Sequence, residues 1–117
     1  MKWDDIIKNF IIYKFKDKCK LKIEGKKIIV TPGMINVGMM EIDANLEFGN
    51  NIAKVCDYVI LIKNESSIYV YEGIISRNYN KENIIIVEDA KEASNEVFKI
   101  AKDKDIVLFE SDIIIDK

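Results

Sequence analysis

The sequence predicts a single α/β domain with a Rossmann-like, three-layer architecture around a mostly parallel sheet. Short, uninterrupted runs rich in isoleucine and valine recur along the chain, as is typical of parallel strands covered on both faces. Segments with apolar residues at helical spacing separate these runs. With 117 residues, 49% of them hydrophobic and 32% charged, the chain has the size and composition of one compact domain.

Four apolar runs are predicted to form the parallel strands, each buried on both faces. Right-handed crossovers between them give the strand order 3-2-1-4. The runs are Ile28 to Thr31, Tyr58 to Ile62, Ile84 to Val87 and Ile106 to Phe109.

The helix between the first two strands is predicted from apolar residues at spacings of three and four. Its stripe consists of Ile42, Leu46, Gly49, Ala53 and Cys56. Glycine is unfavourable within a helix unless a neighbour approaches closely, so Gly49 is expected to pack against the first strand.

Two further helices follow the second and third strands. The middle helix is expected from about Ser67 to Arg77, where Gly73 weakens it by about 1 kcal/mol relative to alanine. Asp89 and Glu92 predict a capping box at the start of the last helix. The apolar stripe of that helix consists of Ala90, Ala93, Val97 and Ile100.

Residues 1–25 are predicted to add a helix and an edge strand to the domain of residues 26–117. The apolar spacing from Trp3 to Phe15 favours a helix, and alternation from Lys18 to Ile23 favours a half-exposed strand. Lysines on an edge strand discourage aggregation, and this interpretation is favoured over a polyanion-binding face. The edge strand is also a candidate homodimer contact.

Composition excludes several classes of function. A net charge of −2 gives no overall attraction for nucleic acid. The chain has no histidine, so Ser-His and Cys-His catalytic arrangements are excluded. Cys19 and Cys56 lack metal-ligand spacing, and reduced, buried thiols are the simplest interpretation. Charges at Asp4, Asp5 and Lys8 interrupt the apolar amino terminus, so a cytoplasmic protein without a membrane segment is predicted.

The loop after Thr31 is the best-placed candidate for ligand binding, because it follows a strand next to the point where strand order reverses. Its glycines, Gly33 and Gly38, do not have dinucleotide-binding spacing, and the phosphate-binding P-loop motif is absent from the whole chain. By spacing alone, these glycines indicate turn geometry more than phosphate binding.

Three stretches, IIVTPGMINVG, ANLEFGNNIAKVCDYVILI and DIVLFESDIIID, resemble the carboxyl-terminal third domain of Mur ligases. The branch most similar is the one that adds D-alanyl-D-alanine to the peptidoglycan precursor. The resemblance extends from about Lys26 to Asp116. The matching residues are Thr31, Pro32, Gly33, Met34, Gly38, Asn45, Phe48, Gly49, Glu110, Asp112 and Asp116.

The resemblance implies a part in ATP-dependent amide-bond formation. In such ligases a central domain supplies the P-loop and magnesium, and the third domain helps to orient the nucleotide and the incoming amine. ATP and magnesium are therefore expected only through a P-loop ligase core as partner, with a small amine or dipeptide as ligand. No catalytic residue or metal ligand is assigned. The implied binding residues are Thr31, Gly33, Met34, Asn36, Gly38 and Asn45.

The sequence also departs from the family pattern. Asn36 stands where the family has glutamate, so a carboxylate is replaced by a neutral amide. The family's N-D-L-P-D segment loses its proline in the stretch from Ser111 to Asp116, and its D-D-x-Y-N-x-N-P-like segment has no counterpart before Lys26. These differences indicate a stand-alone and partly degenerate third domain.

Three functions remain open at the level of sequence. The chain is either a separate ligase domain that acts with a P-loop partner, a binding or regulatory module that keeps the fold without the chemistry, or a self-standing enzyme using Glu41 and Asp43. The last is least favoured, because acidic residues at a helix start are stabilised by the helix dipole. The missing P-loop predicts that the chain alone neither hydrolyses ATP nor forms an amide bond.

Overall fold

The computed structural model of the protein describes residues 25–34 and 41–110. The helix and edge strand predicted for residues 1–25 lie outside the described residues, except for Gly25. Asn36 and Gly38, and the segment from Ser111 to Asp116, also lie outside them.

Four parallel strands form one sheet, which confirms the predicted α/β, Rossmann-like fold and its strand order 3-2-1-4. Each predicted run forms a strand, and only the first begins one residue earlier than expected. The strands are β1 (Lys27–Thr31), β2 (Tyr58–Ile62), β3 (Ile84–Val87) and β4 (Ile106–Phe109).

Helices cover both faces of the sheet. The helices are α1 (Glu41–Val55), α2 (Glu65–Ile75) and α3 (Ala90–Ile100). Phe48 and Val70, from α1 and α2, share a core with Ile29 of β1 on one face. Ala93 of α3 packs with Ile60 of β2 on the opposite face. The chain crosses β2 and β1 to reach β4, so α3 lies on the other side from α1 and α2.

Burial on both faces holds only for the two central strands. Ile28, Ile29, Val59 and Ile60 are fully buried. In the outer strands, by contrast, Ile86 is 55% exposed and Phe109 is 53% exposed. An apolar run therefore predicts a strand here, but its burial depends on the position that the strand takes in the sheet.

The α1 stripe predicted from the sequence is rotated from the face that packs on the sheet. Ile42 is 49% exposed, whereas Ala44, Phe48 and Ile52 are buried in the core. A Cβ at Gly49 would overlap backbone atoms of Val70 and Ile74, so this glycine packs against α2 and not against the first strand. The helix has two buried sides because both the sheet and α2 cover it.

The α1–α2 crossing also explains why α2 contains a glycine. A Cβ at Gly73 would overlap the Leu46 carbonyl oxygen of α1. The two helix backbones come close together because Gly49 and Gly73 face each other across the crossing. The glycine that weakens α2 as an isolated helix thus permits its packing in the domain.

Helix capping differs in part from the sequence prediction. Asp89 accepts a hydrogen bond from the Glu92 N–H at 2.9 Å, as expected for the N-cap of α3. The Glu92 carboxylate instead accepts from the Glu88 N–H, so the predicted reciprocal box is only half formed. A complete box lies at α2, between Asn64 and Ser67. Ala90, the first residue of the predicted α3 stripe, is exposed.

Candidate functional site

The last residue of β1 and the three residues after it, residues 31–34, are called the TPGM loop here, and this loop lies where strand order reverses between β1 and β4. The Thr31 hydroxyl joins these two strands by donating to the Glu110 carbonyl oxygen at 2.9 Å. It also accepts from the Gly33 N–H at 3.0 Å. The Glu110 N–H donates to the Val30 carbonyl oxygen, which continues the ladder to the end of β4. Open α/β sheets bind ligands at this position.

Asn45 of α1 holds the far end of the TPGM loop. Its Oδ1 accepts from the Met34 N–H at 2.7 Å, and its Nδ2 donates to the Met34 carbonyl oxygen at 3.0 Å. The same Nδ2 donates to the Glu41 carbonyl oxygen at 2.8 Å. Both amide N–H groups and the carbonyl oxygen are therefore used. Asn45 and Met34 are buried, so these bonds form away from water.

Asn64, at the end of β2, holds the middle of the TPGM loop. Its Nδ2 donates to the Pro32 carbonyl oxygen at 2.7 Å and to the Ile62 carbonyl oxygen at 3.0 Å. Its Oδ1 accepts from the Ser66 N–H at 2.6 Å, which caps α2. A single side chain thus connects β2, the start of α2 and the loop.

Gly33 has the positive φ of 91° that favours glycine. A Cβ at this position would lie 3.1 Å from Asn45 Oδ1 and from a Val70 methyl group, and 3.2 Å from the Ser66 Cβ. Turn geometry and close packing both require glycine here. This agrees with the sequence interpretation of the glycine as a turn residue.

The first turns of the two helices next to the loop carry acidic side chains. Glu41 and Asp43 lie in the first turn of α1, and Glu65 lies in the first turn of α2. The Ser66 hydroxyl donates to the Glu41 carboxylate at 2.5 Å and so joins the starts of the two helices. Asp43 is exposed. Lys63, next to Asn64 in the sequence, has its Nζ 3.7 Å from the Glu88 carboxylate.

Four of the six residues predicted to bind ligand are brought together by the structure. Thr31, Gly33, Met34 and Asn45 form one hydrogen-bonded unit, although Asn45 is distant from the others in sequence. Their described polar side-chain atoms bond to the protein itself. Asn36 and Gly38 are outside the described residues, so the set as a whole remains a prediction.

Sequence reasoning missed Asn64 and Ser66. They lie within four residues of the end of the apolar run Tyr58–Ile62, where the carboxyl end of a parallel strand is expected, and this position was the available signal. Asn64 with Ser67 also has the spacing of a capping box, but serine replaces the usual glutamate or glutamine at the third helical position.

Among the described residues we find no reactive thiol and no metal centre. Burial raises the pKa of the Cys56 thiol, which favours an inert structural cysteine. The Tyr79 hydroxyl donates to the Cys56 carbonyl oxygen at 2.7 Å, and burial raises the pKa of this tyrosine too. Residues 25–34 and 41–110 contain no cluster of acidic residues or cysteines suited to a metal ion. No helix within them is long and apolar enough to cross a membrane.

Comparison of the sequence with known protein families and with curated protein sequences finds no match.

Proposed function

We propose that the chain acts as a separate counterpart of the third domain of a Mur-type amide ligase. In this role it presents the TPGM loop to the active centre of a P-loop ligase core and helps to orient the amine that attacks an acyl phosphate. The chain positions the amine and helps to close the active centre, and the core binds the ATP phosphates and magnesium.

The proposal rests on contacts between residues that match the Mur ligase pattern and lie far apart in the sequence. The resemblance rests on short stretches far apart in the chain, yet Thr31 contacts Glu110 and Met34 contacts Asn45 through buried hydrogen bonds. Each of these four residues is among those that match the Mur ligase pattern. Their meeting at the strand-order reversal supports a common origin for the stretches and supports the loop as the ligand-facing part.

Charge at this end of the sheet favours an amine as the ligand over a phosphate. The first turn of α1 carries Glu41 and Asp43, and the first turn of α2 carries Glu65. The positive charge of Lys63 is next to the Glu88 carboxylate. Negative side chains repel phosphate and attract an ammonium group. The proposed ligand is therefore a small amino acid or dipeptide with a free amino group.

A ligase core must complete the reaction. Phosphoryl transfer requires backbone amides and a lysine on the triphosphate together with a held magnesium ion, and this sequence has no P-loop to supply the first two. Turnover is therefore expected only when a core without its own third domain is present.

The test is an ATPase and ligation assay on the purified chain, on a ligase core lacking its third domain, and on their mixture. Turnover confined to the mixture is the expected result. Asn45→Ala, which releases the TPGM loop, should abolish this gain, whereas Asn95→Ala on the exposed side of α3 should retain it. Turnover by the chain alone would contradict the proposal.

A non-catalytic binding or regulatory module is the second candidate. Thr31, Asn45 and Asn64 use their hydrogen-bonding groups to hold the loop, which leaves these side chains little capacity for chemistry. Inactivity of the mixture, together with binding of a free-amine dipeptide, would favour this candidate. Asn36→Glu returns the carboxylate of the family pattern and should strengthen that binding by about tenfold through a charge-assisted hydrogen bond.

A further inference from the structure

The outer edge of β3 is a short strand that carries no charged or strand-breaking residue. Its four residues, Ile84–Val87, are isoleucine and valine without lysine, proline or glycine. β3 is an edge strand of the sheet formed by the described residues, and its Ile86 is 55% exposed. Natural edge strands more often carry charges or breaks that prevent pairing with another chain.

The hydrogen bonds of β3 fix which backbone groups point outward. The Lys63 N–H of the β2 end donates to the Val87 carbonyl oxygen at 2.8 Å, so the backbone of Val87 points toward β2. Backbone direction alternates along a strand, and the N–H and C=O of Ile86 therefore point away from the sheet. No described residue bonds to these two groups.

Both neighbouring outward N–H groups are already occupied. The Ile84 N–H donates to the Lys81 carbonyl oxygen within the short 3-10 turn before β3. The Glu88 N–H donates to the Glu92 carboxylate at 2.8 Å. Ile86 is thus the one residue of this edge that offers both a donor and an acceptor to another strand.

An apolar groove runs beside this edge on the α2 face. It has a volume of about 170 Å³ and is lined by Leu61, Lys63, Ser67, Ile68, Tyr71 and Ile86. Ile68 is 55% exposed at its rim. The volume suits one large apolar side chain and is below the usual range for a drug-sized ligand. The described chain begins at Gly25 beside Lys104, next to β4 and therefore at the opposite edge of the sheet.

We propose that the β3 edge binds the β3 edge of a second copy of this chain, in antiparallel orientation and centred on Ile86. In an antiparallel hydrogen-bonded pair, two directly opposed residues exchange both N–H···O bonds. A two-fold axis at Ile86 pairs this residue with itself, and each copy supplies the donor and acceptor that the other requires.

The same geometry explains why a second copy fits better than a long extended peptide. A longer ladder would need the N–H groups of Ile84 and Glu88, which are bonded within the chain. The two-fold pair needs only Ile86, and it brings the two Ile86 side chains together over the groove and Ile68. The contact is short, so association belongs at the weak end of specific interfaces.

The test is sedimentation velocity of the full chain from low micromolar to near-millimolar concentration. The wild type should change from monomer to dimer across this range. Ile86→Lys should weaken association by about tenfold or more, because it places a charge on the two-fold axis. Ile42→Lys is the matched control: Ile42 is 49% exposed on α1, and its replacement should leave association unchanged. Circular dichroism verifies that both variants fold.

Amide hydrogen exchange at high protein concentration identifies the surface used. Protection of the backbone amide at position 86 should increase with concentration in the wild type and not in Ile86→Lys, because the bond forms only in the dimer. A wild type that stays monomeric throughout the range would overturn the proposal, as would a dimer whose affinity Ile86→Lys leaves intact. Neither result depends on ligase activity, so this proposal and the proposed function fail separately.

Discussion

The TPGM loop and the β3 edge differ in where their hydrogen-bonding groups point. At the loop, Thr31, Asn45 and Asn64 bond inward and hold a segment that sequence patterns marked as a ligand site. At the β3 edge, an entirely apolar strand leaves the Ile86 N–H and C=O facing outward. The polar residues at the TPGM loop therefore support the fold, whereas the apolar strand β3 offers hydrogen-bonding groups to another molecule. Residue polarity alone does not distinguish a binding surface from a support.

The largest expected effect separates the central strands from the β3 edge. Ile60→Ala on β2 should lower the free energy of unfolding by about 4 kcal/mol, since it leaves a cavity at a fully buried position. Ile86→Ala, at 55% exposure, should lower it by about 1 kcal/mol. Urea denaturation at low micromolar concentration, where the proposed dimer should be dissociated, measures both. Similar losses of unfolding free energy for the two variants would contradict the distinction between the buried central strands and the exposed β3 edge.

The sequence predicted the strands well because each parallel strand is a short, uninterrupted apolar run rich in isoleucine and valine. All four runs became strands in the predicted order. It predicted their burial less well, because β3 and β4 have the same composition as the central pair but neighbours on only one side within the described sheet. Strand order is set by the crossovers, and local sequence does not report which surfaces the finished sheet leaves uncovered.

The sequence predicted where the loop lies but not which side chains hold it. Its place after β1 followed from the general geometry of parallel sheets. The hydrogen bond between Asn45 and Met34 depends on how α1 is rotated about its own axis. The predicted stripe placed Ile42 on the buried face of this helix, but Ile42 is largely exposed. Asn64 was missed because its bond to Pro32 joins residues distant in sequence.

The second expected effect tests whether the TPGM loop is held as tightly as its bonds indicate. Asn45→Ala leaves the buried Met34 N–H and carbonyl oxygen without their partner, so we expect a loss of about 3 kcal/mol in the free energy of unfolding. Asn95→Ala removes the same side chain from an exposed position on α3 and should change stability by less than about 0.5 kcal/mol. Equal stabilities of the two variants would show that the loop bonds contribute little.

The smallest expected effect concerns Asp105, at the edge of the sheet opposite β3. Its carboxylate accepts from the N–H groups of Lys26 at 2.7 Å and Lys102 at 2.9 Å, and these bonds, the Lys26 bond foremost, lower its pKa. A lowered folded-state pKa stabilises the protein above the unfolded pKa, which is about 3.9 for aspartate. This contribution is lost as the pH falls through the folded-state value.

Asp105→Asn should therefore be less stable than wild type at neutral pH, and the difference should shrink below about pH 4. Asp103→Asn, two residues earlier at an exposed position, provides the matched control and should follow the wild-type pH profile. Chemical denaturation at a series of pH values gives the comparison. A stability difference that stays constant across the acidic range would refute the proposed contribution.

The most direct test of the ligand role of the TPGM loop is amide NMR of the wild-type chain titrated with D-alanyl-D-alanine. We predict shifts at Gly33, Met34 and Asn45 and none at Ile86, at a protein concentration low enough to keep the chain monomeric. The N-acetylated dipeptide lacks the ammonium group and should cause much smaller shifts, because the acidic surroundings of the loop attract that charge. Shifts confined to β3 and its groove, or equal responses to the two dipeptides, would contradict the assignment of the loop as an amine-binding site.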